Sequence, residues 1–70
     1  MTYNDVLFSI LKCMRPNGRT DQLDVMKDLS ISDDELYNYT RHLELLEYIC
    51  TDLEGITITS SGLAYLRRIE

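Results

Sequence analysis

The side chains able to do chemistry are few and scattered. Cys13 and Cys50 are far apart in the chain, and His42 is the lone histidine. A structural zinc site needs about four ligands at close spacing, so no metal is expected here. Both thiols read as small buried apolar residues of a reducing compartment. A nucleophile needs a base within reach and a group that orients the base. One histidine, no glycine-rich phosphate loop and no paired motif assemble nothing of that kind. His42 reads as a packed or hydrogen-bonded side chain at the flank of a helix. The run Thr59-Ser60-Ser61-Gly62 reads as a helix cap. The expectation is a non-enzyme without a cofactor.

The chemistry that remains is recognition by charge and hydrogen bond, and it gathers in one stretch. Asp33-Asp34-Glu35 is followed by Tyr37, Asn38 and Arg41. Twelve acids against seven bases give the chain a net charge of −5. Nucleic-acid binding draws most of its affinity from cations on phosphates. The chain as a whole repels DNA, so DNA binding would need a local basic patch or a paired subunit. Seventy residues, 44% of them hydrophobic, suffice for one small core, and a single domain over residues 1–70 is expected. No apolar run approaches the roughly 18 residues of a membrane span. The start, Met1-Thr2-Tyr3-Asn4-Asp5, lacks the basic lead of a signal peptide, so a cytoplasmic protein is expected.

Periodicity supplies the elements that must position these residues. Tyr3, Leu7, Ile10, Leu11 and Met14 fall at helical spacing, with Thr2 or Asn4 as cap. Pro16-Asn17-Gly18 is a turn. Thr20 is expected to cap a short second helix with the stripe Leu23, Met26 and Leu29. Ser30-Ile31-Ser32 ends it. The sharpest local signal follows: Ser32 with Glu35 is a capping box, and Ile31 with Leu36 is the matching hydrophobic staple. Asp33 and Asp34 add negative charge where the helix dipole is positive. A third helix should begin at Asp33 and bury Leu36, Tyr39, Leu43 and Leu46 down to about Glu47. Then the period changes. Ile49-Cys50-Thr51 and Ile56-Thr57-Ile58-Thr59 flank Leu53-Glu54-Gly55 and predict a hairpin. Thr59 caps a last helix with Leu63, Leu66 and Ile69, and Arg67 and Arg68 suit its C-terminal dipole.

The order is helix, helix, tight turn, helix, hairpin, helix. The middle pair reads as a helix-turn-helix with Ile31 in the turn. In Leu43-Glu44-Leu45-Leu46-Glu47-Tyr48-Ile49 and in Ile56-Thr57-Ile58-Thr59-Ser60-Ser61-Gly62-Leu63-Ala64-Tyr65-Leu66 the chain resembles winged-helix proteins of the MarR and PadR type. The resemblance covers residues 3–69. It implies an α+β, mostly α fold: a three-helix helix-turn-helix core, a short two-stranded wing and a C-terminal helix. It also implies a DNA-binding transcriptional regulator whose third helix enters the major groove while the wing touches the backbone. Carried over by position, the groove-facing residues are Asp34, Tyr37, Asn38 and Arg41, with Leu45 and Tyr48 further along the same side. Asn38 suits adenine and Arg41 suits guanine. Arg15, Arg19 and Lys27 would reach phosphates. Relatives of this kind often dimerise through terminal helices. Val6, Phe8 and Cys13 off the main stripe of helix 1, and Tyr65 in the last helix, make a homodimer through those helices a fair expectation.

Charge opens a second reading. From Ser32 to Tyr48 there are five acids and one arginine, and Asp52-Leu53-Glu54-Gly55 holds no cation. Those are the two surfaces the family turns to phosphate. The alternative is an acidic winged-helix interaction module, an adaptor or an inhibitor. It would bind a basic protein, even by occupying that protein's nucleic-acid site. Tyr37 and Tyr48 would serve as hot spots. Their plainer role, and that of Asp33 to Glu35, is packing and capping. The expected partner is thus double-stranded DNA or a basic protein, and not a membrane.

Overall fold

Every helix begins where a side chain takes over a backbone N–H that has no partner within the helix. The computed structural model describes residues 2–69, the side chain of Ile69 excepted. Helix α1 (Tyr3–Cys13) starts from a capping box of Thr2 and Asp5. Helix α2 (Gln22–Leu29) starts from Asp21, whose carboxylate accepts the Leu23 N–H at 2.9 Å. Helix α3 (Asp33–Leu45) starts from Ser32 and Glu35, which exchange side-chain and backbone bonds as the sequence predicts. Helix α4 (Ser60–Ile69) follows Thr59, whose hydroxyl accepts the Gly62 N–H at 3.1 Å and donates to the Glu47 carbonyl.

Three short strands complete an α+β architecture. Strand β1 (Arg19–Thr20) joins α1 to α2, and β2 (Ile49–Asp52) and β3 (Gly55–Ile58) form the hairpin. The sheet is antiparallel in the order β1-β3-β2, with Thr20 opposite Ile56 and Ile49 opposite Ile58. One core fills the space between sheet and helices. Leu7, Ile10 and Leu11 come from α1, Val25 from α2, and Leu36 and Leu43 from α3; Ile49, Ile56 and Ile58 come from the sheet. Val6, Cys13, Leu63, Tyr65 and Leu66 pack partly buried against it. The apolar surplus of the terminal helices is therefore largely used within the chain.

Several expectations need correction. Thr20 does not cap α2. It lies buried in β1, where its hydroxyl accepts the Arg15 N–H at 2.9 Å, and Asp21 takes the cap. A two-residue strand carries no readable alternation, and its partner lies far down the chain. The buried residue of α2 is Val25, whereas Leu23 is 59% exposed in the first turn. Helix α3 stops at Leu45, and Leu46 is 44% exposed. The chain closes it with a Schellman-type reversal: Tyr48 N–H bonds to Leu43 C=O and Glu47 N–H to Glu44 C=O, with Glu47 left-handed at φ 64°. Glycine or asparagine usually marks that position, so glutamate hid the stop. Tyr48 consequently leaves the helix and stacks on Tyr65 with ring centroids 4.8 Å apart. Thr40, unremarked in the sequence, is buried between Leu36 and Leu43 on the inward side. Cys50 is exposed, because alternation along β2 buries Ile49 and turns Cys50 outward; Cys13 is half-buried.

Two glycines are dictated by close approach. At Gly55 (φ 143°) a Cβ would sit 2.7 Å from the Thr20 carbonyl oxygen. At Gly62 it would collide with the Tyr48 carbonyl oxygen and Ile58. That carbonyl is itself held by the Thr59 N–H at 2.9 Å, so it cannot easily yield. Alanine would gain about 1 kcal/mol of helix propensity over glycine, but overpacking costs about 1–3 kcal/mol. With a backbone atom in the way, the clash should win. Gly62→Ala is expected to lower stability by about 1–2 kcal/mol in urea melts; an unchanged or raised midpoint would contradict this packing.

Candidate recognition surface

Helix α3 has one covered and one open side. Leu36, Thr40 and Leu43 point into the molecule. Asp33, Asp34, Tyr37, Asn38, Arg41, Glu44 and Leu45 are exposed, Tyr37 at 63% and Leu45 at 79%. Tyr37 stands between two shallow hollows. One, of about 310 Å³, runs toward Asp33, Asp34 and Gln22; the other, of about 410 Å³, runs toward Arg41, Glu44 and Leu45. Arg41 makes no ion pair among the described residues. Glu44 turns away from it and accepts the Thr51 hydroxyl at 2.9 Å.

Four of the seven residues singled out from the sequence, Asp34, Tyr37, Asn38 and Arg41, share this open side. Arg15, exposed in the loop after α1, contributes its N–H to Thr20. Lys27 is exposed in the last turn of α2, where the helix dipole favours a cation. Arg19 is already engaged. Its Nε lies 3.1 Å from Asp52 and its Nη1 3.3 Å from Glu54, so the cation expected to reach phosphate instead spans the two acids of the hairpin.

The turn at the hairpin tip is held by one side chain. The Asp52 carboxylate accepts the N–H groups of Glu54 at 2.9 Å and Gly55 at 3.1 Å, besides its bond from Arg19. The Glu54 N–H, with help from the Arg19 guanidinium, holds the Asp52 carboxyl below the usual carboxylate range, although partial burial opposes this. The turn presents Leu53 to solvent at 107% exposure. Leu53 and Leu23 were missed as surface features. A leucine between two acids at a hairpin tip, where polar residues are the rule, was the signal for the first.

Of the other reactive side chains, His42 has a structural partner. Tyr3 Oη and His42 Nδ1 are 2.9 Å apart, and the Tyr3 ring lies 5.3 Å from that of Tyr39, so this cluster ties the start of α1 to α3. Burial pushes the Cys13 thiol pKa up, and the nearby charge of Asp28 adds to the effect. No group of three His, Cys, Asp or Glu side chains among the described residues is arranged to hold a metal ion. No helix among them is long and apolar enough to cross a membrane. Compared with known proteins, the chain matches no family model, no curated protein and no solved structure.

The Asp52 shift has a signed consequence. A carboxylate held below its unfolded value of about 3.9 contributes stability that is complete above that pH. The contribution is lost as pH falls through the lower folded-state value. Asp52→Asn keeps the Oδ1 acceptor but not the charge. The stability gap between the native chain and this variant should narrow as pH falls below about 4 in urea melts; a gap independent of pH would contradict the assignment.

Proposed function

We propose that the protein is a winged-helix interaction module that uses the open side of α3 and the hairpin tip to bind a basic surface of another protein. The winged-helix part is supported by the element order. A short strand precedes α2, α2 and α3 are joined by a tight turn, and a hairpin follows with its second strand central in the β1-β3-β2 sheet. The observation that carries the partner's chemistry is the double ion pair of Arg19 with Asp52 and Glu54. The hairpin carries no Lys or Arg of its own, and the cation that β1 brings to its tip is taken up by its two acids, while α3 begins with three carboxylates. Tyr37 and Leu45 supply the large exposed side chains that anchor protein interfaces.

One observation favours a second reading, the DNA-binding regulator. Asn38 and Arg41, the side-chain types suited to adenine and guanine, both stand exposed on the same side of α3. Two copies paired through α1 and α4, with half-exposed Phe8 at the contact, would offer two such helices to a duplex.

Fluorescence anisotropy at low salt separates the two. A labelled oligolysine peptide should bind, weaken as salt rises, and lose about twofold to fivefold in affinity with Asp34→Lys, the size of exposed charge-pair effects. Mixed-sequence duplex DNA should bind more weakly than the peptide. Duplex binding that exceeds peptide binding and falls with Arg41→Ala would establish the DNA reading instead.

A further inference from the structure

We infer that the cleft between the hairpin tip and the first turns of α2 and α3 seats an apolar side chain flanked by lysine or arginine on the partner protein. The inference rests on the protein-partner reading and specifies where the partner's anchor goes. The cleft holds about 380 Å³ and has Leu23, Met26 and Leu53 among its walls. A single exposed leucine is ordinary. Here two of them, largely or wholly in solvent, flank the same opening over half-buried Met26.

Leu53 is displayed on a fixed turn. Asp52 accepts two N–H groups of that turn, and Arg19 braces Asp52 from β1. Little conformational freedom is left to lose when a partner covers the tip, and that is the main cost preorganised surfaces avoid.

The rim selects the occupant. Asp21, Asp33, Asp52 and Glu54 border the cleft, and Arg19 is shared by the last two. A phosphate backbone would face these carboxylates and be repelled. A second copy docked by a two-fold axis would bring the same acidic rim against itself. A segment with cations on either side of an apolar residue meets both features at once: its side chain fills the cleft and its charges meet the rim.

The test compares two short peptides of equal charge, one with a leucine between lysine pairs and one with serine in its place. Amide chemical shifts of the intact chain are followed in low salt. The leucine peptide should bind about threefold to tenfold tighter and shift Leu23, Met26, Leu53 and Glu54. Leu53→Ser should erase the preference without moving the thermal midpoint, since Leu53 lies wholly in solvent. Equal binding of the two peptides, or shifts confined to Tyr37, Arg41 and Leu45, overturns the cleft assignment while leaving the α3 reading in place. Failure of both peptides to bind overturns the cleft and the protein-partner reading together.

Discussion

Two residues of backbone pairing organise this molecule. Arg19 and Thr20 form the whole of β1, yet they fasten the connection between α1 and α2 to the central strand of the sheet. Thr20 is buried and receives the Arg15 N–H, while Gly55 packs against its carbonyl so closely that no side chain fits. Arg19, facing the other way, reaches the two acids of the hairpin. The same short strand thus closes the sheet over the core and settles the charge of the tip. Exposed ion pairs contribute little stability, about 0–1 kcal/mol. The effect of this pair is on surface chemistry: it engages the Arg19 guanidinium with the two acids of the tip and steadies the turn that carries Leu53.

A chain this short buries one face of each element and leaves the rest to solvent. On α3 the inward face is Leu36, Thr40 and Leu43, fitted under α1 and the hairpin. The capping box and the Schellman closure satisfy the helix ends internally, and its open side faces solvent. What stands there is acidic at the start and carries Tyr37, Asn38, Arg41 and Leu45 further on. In a low-dielectric contact such groups select partners by sign more than by total affinity. The opposite signs of Arg41 and the carboxylates allow a patterned partner rather than a uniformly charged one.

Much of the fold was legible because its signals are local. Ser32 with Glu35, Ile31 before them, and the alternation of Ile56-Thr57-Ile58-Thr59 each lie within a few residues, and each marked its element correctly. What stayed hidden depends on distant contacts or on unusual residues in ordinary roles. β1 is defined by a partner some 37 residues away in sequence. Glu47 takes a left-handed conformation usually given to glycine, so α3 appeared longer than it is and Tyr48 appeared to belong to it. Of the α2 stripe, Met26 and Leu29 do pack against the core, but Val25 takes the fully buried position and Leu23 stands exposed, a choice set by how the helix docks on α1. Of the candidate surface, the shared side of Asp34, Tyr37, Asn38 and Arg41 follows from helical geometry, and their recognition role from the family resemblance. The engagement of Arg19 and the cleft at Leu53 needed the sheet.

Asp33 and Asp34 at the start of α3 and Asp52 and Glu54 at the hairpin tip make one acidic surface, joined at the cleft that Asp33 borders. Solvent paramagnetic relaxation with matched cationic and anionic nitroxide probes reads its potential amide by amide. The account predicts stronger relaxation by the cationic probe at Asp34, Tyr37, Leu53 and Glu54, fading as salt rises. Stronger relaxation by the anionic probe along that surface would contradict it.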